Sequence, residues 1–155
     1  MPSVLELYTQ ASRLPQGQRI FSKLFSLKAP YFGTVRPRFT DLRPNHAELV
    51  IRKRRKVQNH IGTVHVIAIC NGLEAAMGAL AEATVPGHKR WIPKGMDVSY
   101  TAKATSDITC IAETDPEQWT GDDPDVPVRV RAVRDDGTVV VEGVIRLWVT
   151  EKPAR

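Results

Sequence analysis

Residues 66 to 83 read VIAICNGLEAAMGALAEA, and only Cys70, Asn71, Gly72, Glu74, Gly78 and Glu82 interrupt the run of aliphatic side chains and Met77. At helical pitch this stretch is about 27 Å long and apolar on nearly every face, so the rest of the chain has to surround it. A bilayer-spanning helix needs about 20 apolar residues without such interruptions. The reading is therefore a buried central helix with no membrane as partner. Val85-Pro86-Gly87-His88 supplies its stop.

On either side of the helix the period changes from helical to alternating. Upstream, Ala47, Leu49 and Ile51 alternate with Glu48, Val50 and Arg52, a strand that runs into the basic cluster Arg52 to Lys56. Downstream, Trp91 to Ala104, Asp107 to Glu113 and Val126 to Arg134 have period two, and Asp135-Asp136-Gly137 marks a hairpin into Thr138 to Thr150. Pro116 to Pro127 reads as an acidic loop. Residues 3 to 29 carry two short amphipathic helices, broken at Pro15-Gln16-Gly17. Between Pro30 and Pro44 an extended piece is expected around Tyr31 to Arg38. About five mostly antiparallel strands and one central helix make an α+β fold, expected as a single domain over residues 1–155 with residues 1–30 as an N-terminal helical extension. The outer strands would offer edges to a second copy, which predicts a homodimer.

At 155 residues the chain is long enough for one sizeable core. Its 22 Lys and Arg against 17 Asp and Glu leave a net charge of +5, suited to an anionic ligand. With only 6% aromatic residues, base stacking has little support, and no nucleic-acid partner is expected. Cys70 and Cys110 lie in apolar stretches and read as buried, reduced thiols, and Glu6 stands where a signal peptide needs a basic start. A cytoplasmic protein is the expectation. The four histidines lack zinc spacing, so no metal is expected, and neither a nucleophile elbow nor a dinucleotide-binding glycine pattern is present.

Glu74 is the informative polar residue, because a carboxylate buried without partners costs several kcal/mol. It either meets an arginine or works as a base. Asn71, one turn earlier, could share its face. Asn59, His60, Gly62, Thr63 and His65 gather at the start of the helix, where free N–H groups and the positive dipole end favour an oxyanion, with Thr63 as the expected cap.

The run Asn59-His60-Ile61-Gly62-Thr63-Val64-His65, with Glu74 nine residues after His65, resembles the signature of hot-dog-fold acyl-CoA thioesterases of the phenylacetate-pathway type. The likeness spans about Ala47 to Thr150. It implies an antiparallel sheet wrapped around a long central helix, a homodimer or dimer of dimers (homotetramer), and thioester hydrolysis. It also implies Glu74 as general base or nucleophile, Asn59 as the group orienting water or substrate, and His65 as the histidine at the helix start. Members commonly carry His-Gly-Gly where this chain has His65-Val66-Ile67, so the Val66 N–H would polarise the thioester carbonyl. Residues nine apart on a helix point about 180° apart. His65 and Glu74 would then serve one site only across two chains.

Coenzyme A would enter as part of the substrate, with no separate cofactor. Its phosphates suit the basic residues Arg54, Arg55, Lys89 and Arg90. A non-catalytic acyl- or CoA-binding protein on the same fold is the alternative, made credible by the missing glycines.

Overall fold

The computed structural model describes residues 1–153, so residues 154 and 155 at the end of the expected domain lie outside the described residues. The run quoted above forms helix α3 (Val66–Thr84). Ile69, Leu73, Met77 and Leu80 make its most deeply buried stripe, and the alanines between them are equally covered. By length and composition α3 could cross a bilayer, yet 61% of its most apolar window is buried inside the protein. That enclosure accounts for its apolar character.

The sheet that encloses it has six strands, all antiparallel: β1 (Arg38–Arg43), β2 (His46–Ile51), β3 (Lys89–Tyr100), β4 (Ile108–Glu113), β5 (Asp125–Arg134) and β6 (Val139–Glu151). Their order across the sheet is β1-β2-β4-β5-β6-β3. Ala47, Leu49 and Ile51 of β2, and Val126, Val128, Val130 and Ala132 of β5, turn to the helix side and are buried. The β5–β6 hairpin closes at Gly137, whose φ of +83° suits a residue without Cβ, while the Asp136 carboxylate takes the Thr138 N–H at 2.9 Å.

Two helices precede the sheet, α1 (Val4–Ser12), started by a Ser3/Glu6 capping box, and α2 (Gly17–Lys28). They are fixed by an aromatic cluster in which Phe21 meets Tyr8 at 5.1 Å and Phe39 at 5.3 Å, and Phe25 stacks on Phe32 at 5.8 Å. Buried Ser22 donates to the Gln18 carbonyl and accepts from the Phe39 N–H, tying α2 to β1.

Two sequence expectations need correction. The extended piece placed at Tyr31 to Arg38 is a 3-10 turn over Pro30–Thr34, and the strand comes later, at β1. Proline fits the first position of such a turn, and the Phe32 ring is held on Phe25, so the segment curls. β1 is also the strand that raises the count from five to six.

On the sheet, Glu113 accepts from Arg131 at 2.6 Å and lies 3.4 Å from His46. Partial burial alone would raise its pKa, but the Arg131 hydrogen bond and charge, with His46, hold it below the ordinary carboxylate value. A depressed folded-state pKa contributes stability above the unfolded value and loses it as pH falls through the folded one. Glu113→Gln should therefore lower Tm at pH 7 and converge with wild type under acid. Parallel melts at both pH values check this, and an equal deficit at each would refute it.

Candidate active site

The segment leading into α3 is a closed loop. Asn59 Oδ1 accepts from the N–H groups of Ile61 and Thr63 at 3.2 and 3.1 Å, while its Nδ2 donates to Thr63 Oγ1 at 2.8 Å. Gly62, at φ +79°, returns an N–H to the Asn59 carbonyl. Asn59 is thus a brace, with one Nδ2 proton left over. Thr63, expected as cap, is consumed by this loop. The cap is His65, whose Nδ1 accepts from the Ile67 N–H at 3.1 Å and whose own N–H is held by the Val57 carbonyl at 2.7 Å. Accepting at Nδ1 requires that nitrogen to be unprotonated. The next N–H, that of Val66, has no acceptor among the described residues and stands at the positive end of the helix.

Glu74 is half-buried and forms no ion pair with any described residue. Its surroundings are a mainly apolar cavity of ≈240 Å³ whose walls include Phe25, Phe32, Met77, Gly78 and Trp91, with Lys28 the one cation among them. Glu82 borders the same cavity, but its Oε1 accepts from the Trp91 indole N–H at 3.0 Å. The arginine partner that sequence left open for Glu74 is not found among the described residues.

Asn71 does not join Glu74. Only 8% exposed, it donates to the Tyr31 carbonyl at 3.3 Å and to Thr34 Oγ1 at 3.1 Å, tying the 3-10 turn to α3, while its Oδ1 has no partner among the described residues. Asn71, Ala68 and His65 border a separate cavity of ≈370 Å³ with Lys56 and Gln58. His65 and Glu74, about 13 Å apart along the helix and half a turn around it, open onto different cavities of the chain.

The basic residues divide in the same way. Arg54 donates to the Thr34 carbonyl at 2.7 Å, and burial, then the charge of Arg36, lowers its pKa. Arg55 is exposed in a short turn beside it. Lys89 and Arg90 open β3 past the other end of the 19-residue α3, where they donate to the Gly121 carbonyl and Thr150 Oγ1. One chain therefore does not gather all four. A further groove of ≈750 Å³ escaped the sequence reading: Arg19, Lys23, Arg36 and Arg38 line it with no carboxylate. Their helical and alternating spacings were visible, but nothing local places α2 beside residues 36 to 38.

Cys110 is buried and Cys70 half-buried, both are free, and burial pushes both thiols up, away from the thiolate. Neither has the character of a nucleophile.

The family described as Domain of unknown function (DUF4442) matches residues 17–149. The chain belongs to that family. No curated protein matches its sequence. A crystal structure described only as a genomics target is 38% identical and covers 96% of this DUF4442 chain and 99% of its own, with a TM-score of 0.83. A Pseudomonas aeruginosa protein of unknown function, described as "Probable Thioesterase", is 21% identical, with 90% and 97% covered and a TM-score of 0.76. A thioesterase family protein from Silicibacter pomeroyi is 17% identical, with 89% and 100% covered and a TM-score of 0.69. At such identities the last two speak to architecture, and the DUF4442 chain shares with them the hot-dog arrangement of a sheet curled around one long helix.

Proposed function

We propose that this DUF4442 protein is a cytoplasmic acyl-CoA thioesterase, active as a homodimer or as a dimer of dimers. The observation that carries the reading is Glu74, a carboxylate without an ionic partner in the wall of an apolar cavity, on the central helix of a fold shared with proteins described as thioesterases. A structural carboxylate at such a place is normally paired.

In this mechanism Glu74 takes a proton from water, and the hydroxide oxygen bonds to the thioester carbonyl carbon. The carbonyl oxygen becomes an oxyanion and receives the Val66 N–H of a second copy. The C–S bond then breaks, and the proton held by Glu74 goes to the CoA thiolate, giving a carboxylic acid and free thiol. Asn59 offers its remaining Nδ2 proton to water or substrate. His65 fixes the first turn of α3, so that the Val66 N–H is presented rather than frayed. The site needs no metal and no cofactor.

Two chains are required because one chain separates Val66 from Glu74. β3 supplies the means, as an edge strand of 12 residues, paired on one side only, with Ile92, Met96 and Tyr100 exposed. A 12-residue edge strand with exposed apolar side chains offers free backbone groups to a second copy, and pairing with a second β3 satisfies them.

CoA phosphates are assigned to Arg54 and Arg55, which adjoin the helix start, with Lys89 and Arg90 as contributors from the far end of α3. Neutralising Arg54 and Arg55 to Gln should raise KM for acyl-CoA by about tenfold, the scale of one charge-assisted hydrogen bond, and spare short thioesters lacking CoA. Equal effects on both substrates would remove the assignment.

Release of free thiol from a panel of acyl-CoAs tests the activity itself. The second reading, a non-catalytic acyl-CoA-binding protein, draws on Val66 and Ile67, whose side chains occupy the helix start where the thioesterase signature that this chain resembles commonly has glycines. Binding of acyl-CoA without turnover at any chain length would select it.

A further inference from the structure

Nearly half of the residues walling the Glu74 cavity come from outside the sheet-and-helix unit. Val4 belongs to α1, Phe25 and Lys28 to α2, and Phe32 to the turn that follows, while Trp91 and Pro93 of β3 close the far side. Two further cavities are more polar. The one at the helix start holds Lys56, Gln58 and His65, and the one on the outer sheet face holds Glu113, Arg129, Arg131 and Glu142.

Gly78 gives an independent sign. It lies inside α3, where glycine is unfavourable relative to alanine. A Cβ built there would meet nothing closer than Trp91 Cη2 at 3.6 Å, an ordinary contact. Packing does not demand the glycine, and a larger side chain there would take up room in the cavity that position 78 borders.

We propose that the N-terminal helices α1 and α2, with α3 and the start of β3, enclose the acyl-binding pocket, and that it takes an uncharged apolar acyl group of up to about ten carbons. This rests on the thioesterase reading above and adds the substrate class to it. The limit follows from volume: benzene, with six carbons, occupies an apolar cavity of about 150 Å³, so ≈240 Å³ accommodates about nine or ten. Two carboxylates, Glu74 and Glu82, against the one cation Lys28 on the same walls disfavour an acyl group bearing a terminal carboxylate. The hydrogen bond from Trp91 to Glu82 fixes the indole that limits the pocket beside Gly78.

The test uses S-alkyl-CoA thioethers of 4 to 16 carbons, which bind without being hydrolysed, titrated calorimetrically into wild type, Gly78→Leu and Phe32→Ala. Hydrolysis of the matching acyl-CoAs is followed in parallel. For wild type, Kd should fall about fourfold per added methylene and level off near ten carbons. Gly78→Leu should bring the levelling point to about six carbons, and Phe32→Ala should move it to longer chains. Should Gly78→Leu not fold, Gly78→Ala should shift the point by about one carbon. A levelling point indifferent to residues 78 and 32 overturns the pocket, even if Glu74-dependent hydrolysis persists. Shifts in thioether binding with no hydrolysis of any acyl-CoA would leave the pocket standing and remove the thioesterase reading instead.

Discussion

Glu74→Gln is expected to lower kcat for acyl-CoA hydrolysis by at least about a hundredfold, because a positioned general base contributes about 10² to 10⁴ in rate. Gln keeps the shape of the side chain and loses only the ability to take a proton from water. Thermal stability should hardly move. With no ion pair to break, the substitution strands no buried cation, a loss that otherwise costs about 3 to 5 kcal/mol. A change within about 0.5 kcal/mol corresponds to about 2 °C in Tm for a chain of this size. Steady-state kinetics and calorimetry on the same preparation separate the two quantities. An undiminished kcat ends the assignment of Glu74 as base, and a large fall in Tm would make it a structural residue.

What the sequence disclosed about this site, and what it hid, follows from the range over which each residue acts. Helix α3 and strands β2, β3, β4, β5 and β6 were legible because their periodicity is set by neighbours within the same segment. β1 was not, since Pro37 and Pro44 flank it and its polar Thr40 and Asp41 mask the alternation. The strand exists because Phe39 and Leu42 are buried and the Phe39 N–H finds Ser22, 17 residues upstream. Glu74 and Asn71 stood out equally as polar residues in an apolar helix. The structure separates them, because the partners of Asn71 lie at Tyr31 and Thr34, at sequence separations of 40 and 37 that no local pattern reveals. His65 displaced Thr63 as cap for the same kind of reason. Thr63 has the better cap chemistry, but Asn59 claims its hydroxyl first.

The second large effect expected lies under the helix rather than on it. Gly72→Val should lower Tm by about 6 to 12 °C. A Cβ at position 72 would overlap Ile51 Cδ1 and come within 2.9 Å of Cys110 Sγ. Both neighbours are fully buried, so neither has room to swing away. Overpacking a tight core costs about 1 to 3 kcal/mol, and the upper end applies where strand and helix are both constrained. At about 2 to 4 °C per kcal/mol the stated range follows. The strain should also reach the site. Gly72 faces the sheet, and Glu74, two residues on, lies about 200° around the helix toward α1 and α2. Lifting α3 off β2 and β4 therefore narrows the Glu74 cavity, so kcat/KM for the longest acyl groups should fall even where the variant is folded. Ile51→Ala removes as many carbons as Gly72→Val adds, and alone it costs about 2 to 5 kcal/mol by leaving a void. Combined, the two changes conserve volume at one contact, and their joint cost should fall short of the sum of the singles by about 1 to 3 kcal/mol. Denaturant melts of the four proteins measure that coupling. Simple additivity would mean that the helix does not rest on Ile51, and the route from the sheet to the Glu74 carboxylate would be lost with it.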